Sequence, residues 1–391
     1  MKVLGVEADG RLLRLTGACF LAYAVVSGMI TQIGVVSGPM AEHFGVPLTA
    51  AGARMGWIGT GILIGTLTSL VAFEVLSLRQ AFLACYVTAA AALGAGAAAD
   101  TFAFLPVAFV IAGIGGGLGL CAAAVCLSLL FEARHRASAL LVTDLCFALT
   151  GSLIPPLAAM LIGGGGRWDA SYLVVAGIAV LILGLAAGAR FPPTAREADV
   201  PLTDERPPAA AWLCGVGLFL FLLGQASMQL WLPTWMEARF GADLGSGAAA
   251  IGRFWTGMAL GQGALVFLLT FAPLRLWLTG TLVLAVLASS TVWLSPDADR
   301  VPLGMLALGV TSAGILKLTI SGASELVGHP QRVVSALMAA AALGTAVGPF
   351  LSSGIVEATE PLRALQFSTV CQAGTLLCIG LALGTRRLQD G

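Results

Sequence analysis

Two ionisable side chains interrupt long apolar stretches of the chain, and they are its strongest candidates for chemistry. Asp144 follows Arg136 by eight residues, and Lys317 precedes Glu325 by eight. At 1.5 Å of rise per helical residue, each would lie roughly 12 Å from the polar end of its stretch. A charge inside an apolar segment is costly and is therefore a functional hypothesis by default. The two residues are thus expected at a similar depth, where they could face one another.

Two roles are open for Asp144 and Lys317. Breaking a buried ion pair is expensive although forming one is rarely a net gain, and this suits a gate that forms and breaks. Alternatively, Asp144 is the acid that couples transport to protons, because a buried carboxyl can take up a proton near neutral pH. The structural alternatives are that each residue finds a partner within its own half of the chain, or that the Lys317 ammonium reaches the membrane surface.

A second set of polar and aromatic residues inside apolar stretches could bind a solute. Gln225 and Gln229 are four residues apart and therefore share one face of a helix. Amides and hydroxyls in such stretches either hydrogen-bond a neighbouring helix or line a wet cavity. Arg253 could meet an anionic solute or reach lipid headgroups. The candidate solute-binding residues are Tyr23, Thr31, Gln32, Trp57, Gln225, Gln229, Arg253 and Lys317.

Two short polar segments carry charges that could latch one face of the protein. Glu74 and Arg79 lie in one segment, and Glu132, Arg134 and Arg136 lie in the other. The excess of Lys and Arg in cytoplasmic loops of membrane proteins would explain the arginines but not the acids. Glu74, Arg79, Glu132 and Arg136 are therefore predicted to take part in gating together with Asp144 and Lys317.

The composition indicates a membrane protein. Of 391 residues, 58% are hydrophobic and 10% are charged, whereas soluble domains are about a quarter charged. Backbone groups in lipid must pair internally, so helices are the expected form. The net charge of zero gives no reason to expect nucleic acid as a partner. The eight cysteines lack C-x-x-C spacing, so no metal or redox cofactor is predicted, and no phosphate-binding loop is present, so ATP is not the expected energy source. A membrane-embedded enzyme would need convergent His, Asp or Cys groups in the apolar stretches, so no enzymatic activity is predicted.

The apolar stretches predict an all-α membrane protein of twelve transmembrane helices, each stretch being long enough to cross a bilayer. The predicted spans are 14–38, 52–73, 80–99, 103–128, 138–162, 169–190, 211–236, 248–270, 275–295, 300–324, 333–355 and 363–385.

The chain divides into two related halves. Residues 191–210 are polar, charged and proline-rich, which predicts a linker between a six-helix half at 1–190 and another at 211–391. Shifting the sequence by 196 residues places Gly61 on Gly257 and Gly113 on Gly309. Because each half has an even number of spans, the two are expected to be parallel, pseudo-symmetric repeats, which in transporters enclose a solute site near the bilayer midplane.

The distribution of basic residues predicts the orientation. Lys and Arg concentrate on the side that would hold both termini and the linker, and this side is expected to be cytoplasmic. The protein is therefore predicted to be a multi-pass protein of the plasma (inner) membrane.

Glycines and prolines in spans 5 and 11 predict bends where the two halves meet. These helix-bend residues are Gly151, Pro155, Pro156, Gly348 and Pro349.

Several of these motifs together resemble the major facilitator superfamily, and within it the TsgA proteins and, more distantly, the fucose-permease branch. The resemblance covers nearly the whole chain. It is carried by Thr143-Asp144 with Phe147, Gly151 and Pro155, by Leu223-Gly224-Gln225, by Phe254-Trp255, and by Gly348-Pro349 with Gly354. The chain departs from the family in the loop between spans 2 and 3, where the usual Asp-Arg signature is reduced to Glu74 and Arg79.

The resemblance implies secondary active transport by alternating access. The expected cargo is a small polar or anionic solute, driven by a proton or sodium gradient, and the expected oligomeric state is a monomer. The fucose-permease likeness adds a sugar uniporter or symporter as an alternative. A receptor or scaffold that binds a ligand without transporting it is another alternative on the same fold.

Overall fold

A computed structural model of the chain describes residues 2–3, 6–7, 10–131, 133–192, 209–271, 273–324 and 330–387. These residues form fourteen α-helices, one 3₁₀ turn at Ala298–Arg300 and a short antiparallel pair of strands, β1 (Lys2–Val3) and β2 (Val6–Glu7). The helices are α1 (Gly10–Thr31), α2 (Ile33–Phe44), α3 (Leu48–Val75), α4 (Leu78–Ala99), α5 (Leu105–Leu130), α6 (Ala133–Gly163), α7 (Ala170–Ala187), α8 (Ala209–Phe240), α9 (Leu244–Leu268), α10 (Leu274–Trp293), α11 (Val301–Ser312), α12 (Ile315–Ser324), α13 (Pro330–Ala358) and α14 (Pro361–Arg387). The all-α prediction is confirmed.

Two of the predicted spans are broken helices. The first span consists of α1 and α2, and the tenth consists of α11 and α12, so that fourteen helices make twelve spans in the described residues. At the first break, the Gln32 side-chain amide donates to the Gly28 carbonyl at 2.8 Å, a contact that competes with the backbone ladder. The second break falls at Ala313 and Gly314. Ten helical stretches of the described chain are long and apolar enough to cross a membrane.

The helices form two bundles. Helices α1–α7 pack chiefly on one another, as do α8–α14, and we call these the first and second halves. Residues 193–208, most of the predicted linker, lie outside the described residues. The linker end of the protein is the end where α1 begins and α7 finishes; there the Arg79 guanidinium donates to the Ala187 carbonyl at 3.4 Å. The loop end is the opposite one, where α2 ends and α3 begins.

Glycines let helices α3 and α5 touch backbone to backbone in the first half. A methyl group on Gly61 would collide with the Val110 carbonyl oxygen, and one on Gly113 would collide with the Ile58 carbonyl oxygen. Small residues at helix interfaces serve this purpose in membranes, where van der Waals contact replaces the hydrophobic effect between helices.

The second half repeats this arrangement between α9 and α11. A methyl group on Gly257 would collide with the Leu306 carbonyl oxygen, and one on Gly309 would collide with the Phe254 carbonyl oxygen. Both glycines lie 196 residues after their counterparts in the first half. The internal repeat of the sequence is therefore a repeat of helix packing.

Charged side chains fasten the loop end of the first half. Asp100 accepts a hydrogen bond from Arg167 Nη2 at 3.0 Å and contacts His43 Nε2 at 2.7 Å, while Arg167 also binds the buried Asp169 at 2.9 Å. The hydrogen bond from His43, with the nearby Arg167 charge, holds the pKa of the Asp100 carboxyl below its usual range. The ends of α2 and α4 and the start of α7 are thereby tied together.

The glycine contacts predict a difference between two positions on the same helix. Gly257→Ala will lower the free energy of unfolding by about 1–3 kcal/mol, because the added methyl overpacks the α9–α11 contact. Gly263→Ala is the matched control, since nothing lies within 4 Å of a methyl group there. Thermal midpoints of the detergent-purified protein should fall for Gly257→Ala only. An equal midpoint for both variants would contradict the packing role.

Candidate functional site

The two halves meet mainly along three helix pairs, α3 with α13, α6 with α9, and α2 with α8. A methyl group on Gly59 would lie 2.8 Å from the Ala346 Cα atom. The Trp57 ring packs edge-on against Phe350, with centroids 5.4 Å apart. On α2, a methyl group on Gly34 would collide with the Gln229 carbonyl oxygen. These contacts lie in the middle of the interface and toward its loop end.

The α6–α9 pair is equally close. A methyl group on Gly151 would lie 2.5 Å from Trp255 Cγ, and one on Gly252 would lie 2.8 Å from the Ser152 carbonyl oxygen. The hydroxyls of Ser152 and Thr256 are 3.2 Å apart and share a hydrogen bond. Gly151 therefore makes room for an indole ring of the opposite half.

The helices continue through the other predicted bend residues. Pro155 and Pro156 lie within α6, and Pro349 lies within α13. A methyl group on Gly348 would lie 2.8 Å from Ala226 Cβ on α8. Their role in bending stays a prediction.

Two small cavities lie beside these contacts, and Gln225 and Gln229 line both. Water centres can occupy about 30 Å³ of the first cavity and about 10 Å³ of the second. The first lies between the halves and is lined by Ile30, Ile33, Met55, Gly59, Leu222, Gln225, Ala226, Gln229, Trp255, Thr345 and Pro349. The second lies within the second half and is lined by Gln225, Met228, Gln229, Phe254, Met305, Leu308, Ser312, Ser368 and Gln372.

Several polar atoms of the cavity-lining residues lack a hydrogen-bond partner. They are Trp255 Nε1 in the first cavity and Ser312 Oγ, Ser368 Oγ and Gln372 Oε1 in the second. Nearly all buried polar groups in proteins are hydrogen-bonded, so each exception requires an explanation. Four buried polar atoms without a partner therefore belong to residues that line the cavities, three of them in the second.

An ion pair joins the halves on the linker-end side of the cavities. The Lys317 ammonium of α12 contacts the Asp144 carboxylate of α6. The side chains are 47% and 21% exposed, respectively. Among the ion pairs of the described residues, this one alone connects the two halves. The neighbouring Thr143 hydroxyl is within hydrogen-bonding reach of the half-buried Tyr23.

The remaining candidate solute-binding residues line neither cavity. Thr31 and Gln32 are fully buried at the break between α1 and α2, and Thr31 Oγ1 and Gln32 Oε1 have no partner. Arg253 is exposed, while its neighbours Phe254 and Trp255 are buried.

The predicted latch charges are only partly described. Glu74 and Arg79 are exposed, and the Arg79 guanidinium contacts α7 of its own half. Glu132 lies outside the described residues, as does the side chain of Arg136.

Sequence reasoning missed Ser312, Ser368 and Gln372. Gln372 carried a usable signal, since it is an amide inside an apolar stretch, as Gln225 and Gln229 are. Isolated serines carry a weaker signal, because a serine hydroxyl in a helix can bond to a carbonyl one turn earlier, as those of Ser227 and Ser352 do.

Comparison with known proteins gives consistent results at the level of family and fold. The family model described as Major Facilitator Superfamily matches residues 19–349. Protein TsgA of Shigella flexneri is 26% identical over 359 residues, covering 90% of each chain. Protein TsgA of Escherichia coli O9:H4 (strain HS) is 25% identical with the same coverage.

Two solved structures share the fold. A mutant of the nucleoside transporter NupG superposes with a TM-score of 0.76 at 11% identity, covering 95% of this chain and 99% of that one. A bacterial homologue of the human lysosomal transporter Spinster, inward-facing and unoccupied, superposes with a TM-score of 0.71 at 15% identity, covering 96% of both chains.

The ion pair predicts non-additive effects on stability. Asp144→Ala will lower the free energy of unfolding by about 1–2 kcal/mol because it leaves the Lys317 charge without its partner; the partial exposure of Lys317 keeps the loss below that of a fully buried pair. The double variant Asp144→Ala/Lys317→Met will recover most of this loss. Thermal midpoints in detergent measure both effects.

The control for this prediction is Glu360→Ala, which removes the exposed partner of Arg363, 3.7 Å away. It should change stability by less than about 1 kcal/mol. If the losses of Asp144→Ala and Lys317→Met simply add in the double variant, the two residues are not coupled.

Proposed function

We propose that this chain, which belongs to the Major Facilitator Superfamily and is a membrane transporter, moves a small polar or anionic solute by alternating access coupled to protons. The observation that carries the proposal is the arrangement of contacts around the cavities. Close helix packing lies toward the loop end, and the Asp144–Lys317 pair lies toward the linker end.

Alternating access requires a site that is closed on one side while it opens on the other. The first cavity lies between the halves, which in this proposal are residues 1–190 and 211–391. Rocking the halves about this cavity would separate the glycine contacts at the loop end while the linker end closes. The opposite movement would open the linker end while the glycine contacts at the loop end form again. Transporters built from parallel repeats hold their solute at such an interface.

The ion pair supplies the proposed coupling. Protonation of Asp144 removes its charge and leaves Lys317 without a partner, so the linker end opens more easily. The unpaired Lys317 ammonium is then available to an anionic solute. Thr143, the residue before Asp144, is within hydrogen-bonding reach of Tyr23, so polar groups lie close to this part of α6. A sodium ion is the alternative driver.

The orientation, the membrane and the oligomeric state of the protein are also part of the proposal. The termini and the linker face the cytoplasm, because basic residues concentrate there. The membrane is the plasma (inner) membrane, and the working unit is a monomer.

The test uses the purified protein in liposomes that contain a pH-sensitive dye, with a panel of organic anions, sugars and nucleosides. One solute class should drive proton movement in the wild type. Asp144→Asn should reduce that proton movement at least tenfold, because the coupling group no longer titrates, while exchange of labelled solute across the membrane continues. Glu360→Gln, a change at an exposed acid, is the control.

Two outcomes would contradict the proposal. Equal proton movement in Asp144→Asn would remove Asp144 from coupling. Binding of a solute with neither proton movement nor exchange would favour the receptor alternative.

A further inference from the structure

We propose that the transported solute is uncharged, and that the second half supplies its hydrogen bonds through Ser312, Ser368 and Gln372 while the first half covers an apolar face. This inference narrows the proposed function to one class of solute and rests on it.

The first cavity is chemically divided between the halves. From the first half it receives Ile30, Ile33, Met55 and Gly59, and the only acceptor among their side chains, the Met55 sulfur, already accepts a hydrogen bond from the Tyr172 hydroxyl at 3.5 Å. Its hydrogen-bonding side chains, Gln225, Gln229, Thr345 and Trp255, all belong to the second half. A solute in this cavity therefore meets an apolar wall on one side and polar groups on the other.

The second cavity extends this polar side into the second half. Ser312, Ser368 and Gln372 are 2%, 1% and 3% exposed, respectively. Their Ser312 Oγ, Ser368 Oγ and Gln372 Oε1 atoms have no partner. Leaving such atoms unsatisfied costs free energy, which a ligand regains by pairing with them. The Gln372 oxygen accepts only, so the solute must bring a hydroxyl or N–H donor to it.

The size of the second cavity limits what can enter. Its volume of about 10 Å³ corresponds to one water-sized group. A hydroxyl or the amino end of a primary amide fits this description, and it would enter while the rest of the solute stays in the larger first cavity. Gln225 and Gln229, which line both cavities, mark the passage between them.

Charge is the property that the cavities do not accommodate. No charged residue of the described chain lines either cavity. The charged pair of the interface, Asp144 and Lys317, lines neither cavity, and Arg253 is exposed. Bringing an unpaired charge out of water costs several kcal/mol, so an ionised solute is disfavoured here. A neutral solute with an apolar face and a hydrogen-bonding end fits both walls.

The experiment measures thermal stabilisation of the full-length protein in detergent by solute pairs that share a scaffold and differ in charge. The pairs are nicotinamide with nicotinate and uridine with uridine 5′-monophosphate, and sodium chloride is compared with choline chloride. A ligand that binds only the folded state raises its stability. An uncharged member should stabilise the wild type, and its charged counterpart should not.

Variants locate the effect. Ser312→Ala and Gln372→Leu should each raise the solute concentration for half-maximal stabilisation about fivefold, the size expected for one hydrogen bond. Gln366→Leu is the matched control on the same helix, since Gln366 pairs with Arg363 outside the cavities. Ser312→Ala removes one hydroxyl with little loss of volume, so it tests the site even if Gln372→Leu folds poorly.

Four results would overturn the inference. In the first, the charged members stabilise the protein at least as strongly as the uncharged ones, and in the second, no uncharged member stabilises it. In the third, the half-maximal concentrations are unchanged in both cavity variants. In the fourth, sodium chloride but not choline chloride stabilises the protein, and Gln372→Leu abolishes this effect. The last result would make the second cavity a cation site.

Failure of the inference and failure of the proposed function are distinguishable. An uncharged solute that binds but is not carried into liposomes would overturn only the transport mechanism. A carried anion with no response to the uncharged members would overturn only the choice of solute.

Discussion

In the proposed mechanism, the Asp144–Lys317 ion pair is the interaction on which the working of this protein depends. It joins one helix of each half, and an ion pair of this kind can be broken by a single proton. Helix contacts that depend on shape cannot be switched in this way. Toward the loop end, the halves meet through Gly34 and Gly59, whose backbones pack directly against the backbone of the other half. Such a contact has no group that a proton could change. The protein thus has a chemically sensitive contact on one side of its cavities and a steric one on the other.

Packing between the helices makes such a device possible. In lipid, helices gain little from burying apolar side chains, so close backbone approach has to hold each half together. The glycines of α3–α5 and α9–α11 provide that approach. In the proposed mechanism each half moves as a unit, and the interface between the halves carries the polar groups.

Much of the fold follows from the sequence because membrane insertion imposes long apolar helices. The repeat at 196 residues also had a direct structural meaning, since the matched glycines make matched contacts. Counting residues from the polar ends gave Asp144 and Lys317 a similar depth, and the structure has them in contact. The break at Gln32 was not predicted, because hydropathy does not register a side chain that competes for a backbone carbonyl. The break at Gly314 was not predicted either, because the apolar stretch continues through it.

The candidate site was only partly predictable. Gln225 and Gln229 line the cavities as a shared helix face suggested. Gln372 was overlooked although its signal was the same, and Ser312 and Ser368 had no signal beyond their type. Arg253 attracted attention by its charge and turned out exposed. Sequence shows which polar residues enter the membrane, but the rotation of each helix decides which of them reach the cavity.

The most direct test of the gate is a distance measurement between the halves by double electron–electron resonance. Spin labels in a cysteine-free background would be placed at Leu76 and Thr270 for the linker end, and at Thr101 and Asp299 for the loop end, all exposed positions. In Asp144→Asn, the linker-end distances should shift toward a longer population while the loop-end distances stay short. Linker-end distances identical to those of the wild type would contradict the account.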